Sequence, residues 1–189
     1  MKKKIVYIGF AIDILHEGHI NILKKGNKLG KVIVGLLTDT AIAQYKKVPF
    51  LDYNQRKIVL ENIKYVDEII PQKTLDYVEN LKKFRPSFVV HGDDWKTGIQ
   101  KKTRARVINT LKRWGGKLIE PKYTKNISST LIKSKIIHSG ISPQNKISQL
   151  KRLIKVKNIV RILETHNSLN GLIIENLNIK KNSRLIEFD

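Results

Sequence analysis

Short apolar runs alternate with amphipathic stretches over the first 140 residues of the chain. The runs are continuous and rich in β-branched side chains, which is typical of strands in a parallel sheet that is covered on both faces. They predict strands at residues 5–8, 32–37, 66–70, 88–90 and 118–119. The stretches between them predict helices, so the whole pattern predicts an α/β fold with a doubly wound, five-stranded parallel sheet.

Two of the intervening helices carry signals of their own. One has apolar residues along a single face from Val107 to Trp114, and the pair at 115–116, Gly-Gly, predicts its end. Asp52 is the predicted N-cap of another helix, which carries Arg56. This architecture is Rossmann-like, and in such sheets ligands bind at the carboxyl ends of the strands.

The pattern changes after this part of the chain. Residues 139–143, Ser-Gly-Ile-Ser-Pro, are typical of a linker, and two helical stretches follow at 146–155 and 159–175. Residues 185–189 look like the start of a strand. One strand and two helices cannot form an α/β core of their own, so this part is expected to be a linker with a C-terminal helical extension. The expected domains are residues 1–140 and 141–189.

The composition narrows the classes of protein that fit this pattern. With 41% apolar and 28% charged residues, the chain is unlike a disordered protein, a collagen or a coiled coil. The lack of cysteine excludes a disulfide framework, Cys-ligated zinc and a thiol nucleophile. No apolar stretch approaches the length of a membrane-spanning helix, and the apolar run after the N-terminal lysines is too short for a signal peptide. We therefore expect a cytoplasmic protein.

The charge of the chain is strongly positive. It has 37 basic and 16 acidic residues and a formal net charge of +21. The excess is spread along the whole sequence, so it indicates either a lysine-rich composition or an anionic partner such as a nucleotide, a phosphorylated substrate or a nucleic acid. The basic run at 101–106 has no aromatic residues that could stack on bases, which makes nucleic acid the remote alternative.

The segment after the first predicted strand, residues 9–19, has the residue types of a phosphate site. Gly9 allows a ligand to approach the backbone. His16 and His19 lie three residues apart at the predicted start of a helix, so both imidazoles share one face beside free N–H groups and the positive end of the helix dipole. Gly18 leaves room between them for an oligophosphate. A metal-binding pair and ordinary surface histidines are the alternatives.

Three later segments fit the same purpose. Asp93 and Asp94 follow a buried strand, where they could hold a ribose hydroxyl or a magnesium ion, or else form a turn or a helix cap. Residues 126–130, Asn-Ile-Ser-Ser-Thr, precede a helical run at 131–137, and their hydroxyls could bind a phosphate or only cap the helix. The lysines at 46–47 lie in a predicted loop and could close over a triphosphate, although lysine is abundant throughout the chain.

Together these segments resemble the cytidylyltransferase family within the HxGH-type nucleotidyltransferases. The resemblance covers about residues 4–137, with its segments in order at the family's spacing. The segments are DILHEGH at 13–19, Thr-Asp at 38–39, Arg-Lys at 56–57, YVDE at 65–68, GDDW at 92–95 and ISST at 127–130.

The sequence departs from the glycerol-3-phosphate cytidylyltransferases at several of these segments. Their GTFD is one residue shorter than the segment at 9–13, and Lys64 stands at the position of the arginine in their RYVDE. Tyr123 and Asn126 stand where their closing motif has arginine and glycine. The acceptor and nucleotide contacts of those enzymes therefore cannot be transferred whole.

The chain more closely resembles the cytidylyltransferase half of bifunctional proteins that continue into phosphoenolpyruvate mutase. The segments that carry this resemblance lie at 34–57, 89–104 and 123–130. The tail, from residue 150 to residue 167, resembles the opening of the mutase barrel, so residues 141–189 are expected to include the truncated start of such a barrel. The catalytic core of the mutase is absent, and no mutase activity is assigned.

The resemblance implies transfer of CMP from CTP to a small acceptor, with release of pyrophosphate. The main acceptor expected is a phosphonate, 2-aminoethylphosphonate or 2-hydroxyethylphosphonate. The alternative is an alcohol phosphate such as glycerol 3-phosphate, phosphocholine or phosphoethanolamine, and an adenylyltransferase also stays open because the HxGH site is shared. The resemblance further implies Mg²⁺ as a cofactor, CTP as a substrate and a homodimer.

The same resemblance implies roles for individual residues. His16, His19 and Lys46 would be catalytic. Arg56 and Tyr123 would bind the acceptor, and Asp94 would also contact the metal. The nucleotide would be bound by Gly9, Phe10, Asp13, Gly18, His91, Asp93, Asp94, Ile127, Ser128, Ser129 and Thr130.

Overall fold

The chain divides into two compact units, residues 1–141 and 142–189. The structure is a computed structural model. It describes residues 3–97, 100–122, 124, 127–129, 132–133, 143–157, 159–160, 164–175, 179–181 and 184–186. No helix in these ranges is long and apolar enough to cross a membrane.

The first unit alternates strands and helices, as the sequence predicts. Its strands are β1 (Ile5–Phe10), β2 (Lys31–Leu37), β3 (Glu68–Gln72), β4 (Phe88–Val90) and β5 (Lys117–Ile119). Its helices are α1 (Glu17–Asn27), α2 (Asp39–Ala43), α3 (Tyr53–Glu61), α4 (Val78–Phe84) and α5 (Lys101–Lys112), and a 3₁₀ turn spans Asp93–Lys96.

All five strands pair in parallel in the order β3-β2-β1-β4-β5, which confirms the predicted Rossmann-like sheet. The chain proceeds from β1 outward to β3 and then returns to β4 on the other side of β1. The order therefore reverses between β1 and β4, and this is the point at which such sheets bind ligands.

The sheet is buried on both faces. Along β1, Val6 and Ile8 pack into one apolar cluster, whereas Tyr7 packs into the cluster on the opposite face. This alternation explains why the strands are continuously apolar in sequence, since each residue faces one of two cores.

Glycine and proline residues account for two features of these elements. Gly115 has φ +74°, and the Gly116 N–H donates to the Leu111 carbonyl (3.0 Å), so the Gly-Gly pair closes α5 as predicted. β3 lies two residues beyond the predicted 66–70 and includes Pro71. A proline is tolerated there because β3 is an edge strand.

The second unit contains the helices α6 (Pro143–Val156) and α7 (Ser168–Glu175) and an antiparallel pair of strands, β6 (Ile179–Lys181) and β7 (Arg184–Ile186). The predicted helix over 159–175 is wrong in its first half, because residues 159–160 and 164–167 are not helical. The Asn167 side chain accepts from the Asn170 N–H (2.9 Å) and so marks the start of α7. The sequence analysis missed β6 and placed the last strand one residue late.

Candidate active site

Two histidines begin α1 at the carboxyl end of β1. His16 is the N-cap, and its Nδ1 accepts from the Gly18 N–H (3.2 Å). His19 lies three residues later, and its Nδ1 accepts from the His16 N–H (3.4 Å). The two rings are 3.9 Å apart between centroids. The pair therefore forms a capping box in which imidazoles take the places usually held by Ser or Thr and Glu or Gln.

These backbone contacts fix the tautomer of both rings. A backbone N–H can only donate, so each Nδ1 carries a lone pair and the hydrogen of the neutral ring is on Nε2. Burial lowers the pKa of His16, and burial together with the charges of His16 and Lys46 lowers the pKa of His19 to about 3. Near neutral pH the site therefore presents two Nε2–H donors at the N-terminus of α1, an arrangement suited to phosphate oxygens.

Phe10 and Gly18 support this pair. The Phe10 ring meets the His19 ring edge-on at 5.3 Å. A Cβ at Gly18 would lie 3.0 Å from Cε1 of His16 and 3.6 Å from Cβ of Thr124. Gly18 thus makes room for the His16 ring to fold back over the helix start. Nucleotide contacts of Phe10 and Gly18 stay predictions.

Packing inside the protein requires a glycine at position 9, which the sequence analysis did not predict. A Cβ at Gly9 would lie 2.3 Å from Cζ of Tyr77, a buried side chain that crosses the end of β1. The close approach that Gly9 permits is therefore to an aromatic ring of the protein. Its contact with a nucleotide stays a prediction.

Asp13 joins three segments around the site. Its Oδ1 accepts from the Leu51 N–H (3.1 Å), and its Oδ2 forms an ion pair with Lys133. The Lys133 ammonium also lies over the Phe50 ring, 4.8 Å from the centroid. Asp13 is buried by these contacts, so the structure gives it a tethering role in addition to any nucleotide contact. Lys133 was missed because no motif distinguishes it from the other lysines.

The predicted acceptor contact of Arg56 stays a prediction, and the structure gives this residue a role in the fold. Its side chain is 0% exposed, and the guanidinium donates to the carbonyls of Ala11 and Leu37 (2.9 Å for Leu37) and pairs with Asp39 (2.7 Å). Arg56 therefore ties the ends of β1 and β2 to the start of α2. A sequence cannot distinguish an arginine that faces a ligand from one that satisfies buried strand-end carbonyls.

A second group of side chains lies at the carboxyl end of β4. The His91 ring stacks on Trp95 at 3.8 Å and 8°, and its Nδ1 lies 2.8 Å from the Gly92 carbonyl oxygen and 3.7 Å from Oδ1 of Asp94. Asp94 is half exposed, and Asp93 is partly buried in the same turn. Within the described ranges there is no group of three side chains that could hold a metal by themselves.

The stacked pair at β4 has further support from α5 and β5. The buried Trp95 donates its indole N–H to Glu120 (2.8 Å). Arg104 holds the same carboxylate with two hydrogen bonds of 2.7 and 2.8 Å, and these lower the pKa of Glu120 to about 2. Neither Glu120 nor Arg104 was a candidate site residue in the sequence analysis, because their contacts with Trp95 and with each other join positions that are distant in sequence.

Lys46 lies close enough to the α1 histidines and to the side chains at the end of β4 to change their pKa values. Its positive charge lowers the pKa of His19 and of His91, and the carboxylate of Asp94 opposes the effect of burial on the pKa of Lys46. The charges of Lys46, His19, His91 and Asp94 therefore act on one another at one edge of the sheet, and their contacts with a substrate stay predictions.

The serine segment also reaches the β1–α1 loop. The Ser129 hydroxyl donates to the Ile14 carbonyl (3.1 Å), and the Ile132 N–H donates to the Ser128 carbonyl (3.0 Å), which begins a helical turn. Ile127 and both serines are partly buried. The predicted residues Thr130 and Tyr123 lie outside the described residues.

Comparison with known proteins decides the family. The Cytidylyltransferase-like family model matches residues 9–135, a span that includes the histidine pair, Lys46, the β4 turn and the serine segment. The chain belongs to the cytidylyltransferase-like family. This confirms the resemblance to the cytidylyltransferase family and makes the protein an enzyme, a CTP-dependent nucleotidyltransferase. The resemblance to the cytidylyltransferase half of bifunctional mutase proteins stays a prediction.

Individual members of the cytidylyltransferase-like family show how far the similarity extends. The glycerol-3-phosphate cytidylyltransferase of Staphylococcus aureus is 35% identical over 72% of this chain and 96% of its own. The ethanolamine-phosphate cytidylyltransferase of Mus musculus is 30% identical over 66% of this chain and 30% of its own. A solved lipopolysaccharide core biosynthesis protein from Thermoplasma volcanium superposes with a TM-score of 0.54 at 25% identity, covering 66% of this chain and 99% of its own.

Proposed function

We propose that the protein transfers CMP from CTP to an anionic oxygen of a small phosphate-bearing or phosphonate-bearing acceptor and releases pyrophosphate. The observation that carries this proposal is the pair of imidazoles that cap α1, both of which keep an Nε2–H donor for phosphate oxygens. The β4 turn and the serine segment lie around the same sheet edge, where a nucleotide could span them.

In the proposed reaction, the acceptor oxygen attacks the α-phosphorus of CTP, and the bond to the pyrophosphate oxygen breaks as the new bond forms. The acceptor is already an anion, so no general base is needed. Catalysis rests on positioning and on stabilising the charge that develops on the phosphoryl oxygens. We assign this stabilisation to the Nε2–H groups of His16 and His19 and to the ammonium of Lys46.

The serine segment and Asp94 have supporting roles in this proposal. Ser129 and the helical turn behind it would hold the β- and γ-phosphates. Asp94 fits a magnesium ion, because proteins commonly bind Mg²⁺ through one or two carboxylates together with substrate phosphates, and Asp94 is a half-exposed carboxylate at the ligand edge. Bound Mg²⁺ would supply charge neutralisation to the triphosphate.

Two classes of acceptor have support. The relatives are named for phosphate esters, glycerol 3-phosphate and ethanolamine phosphate, so these are the first candidates. The phosphonates 2-aminoethylphosphonate and 2-hydroxyethylphosphonate are the second candidates. They are favoured by the segments that resemble the cytidylyltransferase half of bifunctional proteins that continue into phosphoenolpyruvate mutase. The side chain of Arg56 is buried against the strand ends, so other residues would also be needed to contact the acceptor.

Pyrophosphate release tests this proposal directly. CTP, UTP, ATP and GTP should each be tested with every acceptor, in the presence of Mg²⁺. Ethanolamine phosphate and 2-aminoethylphosphonate are the matched pair, since they differ only in the bridging oxygen. We expect release with CTP and with one member of this pair or with glycerol 3-phosphate. Equal release from ATP would contradict a cytidylyltransferase and favour an adenylyltransferase.

We also propose that residues 1–140 alone carry the activity, and that the protein forms a homodimer to which residues 141–189 contribute. All the described side chains of the site lie in the first unit. The fragment 1–140 should therefore retain most of the turnover of the full chain while it associates more weakly in sedimentation. Loss of turnover in a folded fragment would show that residues 141–189 help to build the site.

A further inference from the structure

The three histidines at the ligand edge are held in two opposite tautomers. Nδ1 of His16 and Nδ1 of His19 each accept from a backbone N–H, which leaves their hydrogens on Nε2. Nδ1 of His91 instead lies 2.8 Å from the Gly92 carbonyl oxygen, which can only accept. The hydrogen of His91 is therefore on Nδ1, and its Nε2 carries a lone pair.

The same contact assigns the role of the second ring nitrogen. With Nδ1–H directed at the Gly92 carbonyl, the lone pair of the neutral imidazole is on Nε2. Nε2 of His91 is therefore an acceptor and not a donor.

The orientation of the His91 ring is fixed from two sides. One face is stacked on Trp95, whose indole N–H is held by Glu120, and Glu120 is held in turn by Arg104. The Nδ1 edge is occupied by Gly92. In the described part of the chain no group forms a hydrogen bond with Nε2 of His91, and the side chain is still 14% exposed. The Nε2 edge is thus the polar edge that is left for a ligand.

The chemistry of that edge differs from the chemistry of the α1 histidines. β4 pairs directly with β1, so the carboxyl ends of the two strands are neighbours, and the charge of Lys46 acts on both His19 and His91. A lone pair at Nε2 would repel a phosphate oxygen, however, so His91 cannot share the phosphate-binding role. Mg²⁺ prefers oxygen ligands, so the partner suited to this lone pair is a group that donates a hydrogen bond.

We propose that His91 determines nucleotide specificity by accepting, at Nε2, a hydrogen bond from a donor group of the nucleoside part of CTP. Trp95, Glu120 and Arg104 are positioning residues for this contact. The donor is either a ribose hydroxyl or the exocyclic amine of the base. This inference rests on the proposed function, because it takes CTP as the substrate.

Three variants at one position separate the contributions of the ring. His91→Phe keeps an aromatic ring against Trp95 and removes both nitrogens. His91→Gln can place an amide oxygen near the former Nε2, whereas His91→Asn reaches only the position of Nδ1. His166→Phe is the matched control, because His166 is an exposed histidine of the second unit.

Each variant should be assayed with CTP and with analogues that lack one donor, namely 2′-deoxyCTP, 3′-deoxyCTP and UTP. The wild type should lose about tenfold or more in kcat/KM on one of these analogues. His91→Phe should lose a similar factor on CTP, chiefly through KM, and should no longer discriminate against that analogue. His91→Gln should recover part of the loss and His91→Asn should not, while His166→Phe should match the wild type.

The outcomes separate this inference from the proposed function. A wild type that releases no pyrophosphate from CTP with any acceptor would contradict the proposed function itself. An active wild type whose discrimination against all three analogues is unchanged in His91→Phe would overturn the role of His91. If His91→Phe does not fold, equal kcat/KM values for His91→Gln and His91→Asn would overturn it as well.

Discussion

Helices α1 and α3 begin with the same hydrogen-bonding arrangement but from different residue types. At α3, Asp52 accepts from the Gln55 N–H and Gln55 accepts from the Asp52 N–H, both at 2.9 Å. At α1, His19 likewise accepts from the His16 N–H at 3.4 Å, and His16 accepts at 3.2 Å from the Gly18 N–H, one position earlier in the helix than the partner of Asp52. The imidazole box has longer hydrogen bonds, but each of its rings keeps a second nitrogen for a ligand.

The comparison shows how one helix start can serve both the fold and the reaction. A carboxylate or an amide at a cap is suited to helix stability, and a negative charge there would repel a triphosphate. An imidazole is a less favoured cap, but its Nδ1 contact fixes the hydrogen on Nε2, where the phosphate is expected. We infer that α1 gives up some capping strength for two correctly oriented donors.

The largest expected effect is on turnover when either imidazole is removed. His16→Ala and His19→Ala should each lower kcat by roughly a hundredfold or more, because the loss of one donor to developing charge typically costs about 3 kcal/mol. Steady-state kinetics at saturating CTP would measure this effect. Asp52→Ala is the control, since it removes a cap of the same geometry that has no proposed contact with substrate.

The outcome that contradicts this assignment is a change in binding alone. If either alanine variant keeps the wild-type kcat and only raises KM for CTP, the histidines bind the ground state and the transition state equally. A parallel fall of kcat in Asp52→Ala would instead show that the effect comes from disturbed helix starts.

The next effect is a loss of stability at acid pH that comes from His19 in the imidazole box. The pKa of His19 is about 3 in the folded protein, against an ordinary value of 6.5, so between these values the unfolded chain binds more protons. Stability from this depressed pKa is present above pH 6.5 and is lost as the pH falls. Between pH 7.5 and 5.5 this residue should account for about 1.4 kcal/mol of lost unfolding free energy.

Urea unfolding at the two pH values would measure this loss, with His19→Asn as the comparison. Asparagine can still accept at the cap but does not titrate, so this variant should lose about 1.4 kcal/mol less than the wild type on acidification. His16 and His91, whose pKa values are also lowered, should contribute equally in both proteins. An identical pH dependence in both would show that His19 titrates normally in the folded chain.

The two helix starts also mark what could be predicted from sequence. Asp52 belongs to the residue types preferred at N-caps, and the apolar runs follow the period of buried strands, so the α3 start and the sheet were predictable. His16 and His19 were found by their spacing. Their capping contacts were not predictable, because histidine has no strong preference for this position.

What escaped prediction depends on contacts between distant segments. The ring of Tyr77 over Gly9, the ion pair of Asp13 with Lys133 and the burial of Arg56 at the strand ends all join residues far apart in sequence. No local pattern encodes such contacts. The predicted helix over 159–175 was too long for a different reason. Its apolar spacing continues on both sides of Asn167, the residue that caps the start of α7.

The smallest expected effect is on stability at α3. Asp52→Ala removes a side chain that accepts from the Gln55 N–H, and such losses typically cost about 1 kcal/mol in unfolding free energy. Urea unfolding would measure this loss, and Asp52→Ser, which retains a capping oxygen, should recover most of it. Turnover of both variants should stay close to that of the wild type, because the contacts that link this region to the site, those of Arg56 with the strand ends and of the Leu51 N–H with Asp13, do not use the Asp52 side chain. A tenfold loss of kcat in Asp52→Ala that Asp52→Ser restores would show that the α3 start holds the β1–α1 loop in its active geometry, and the two capping boxes would then both serve catalysis.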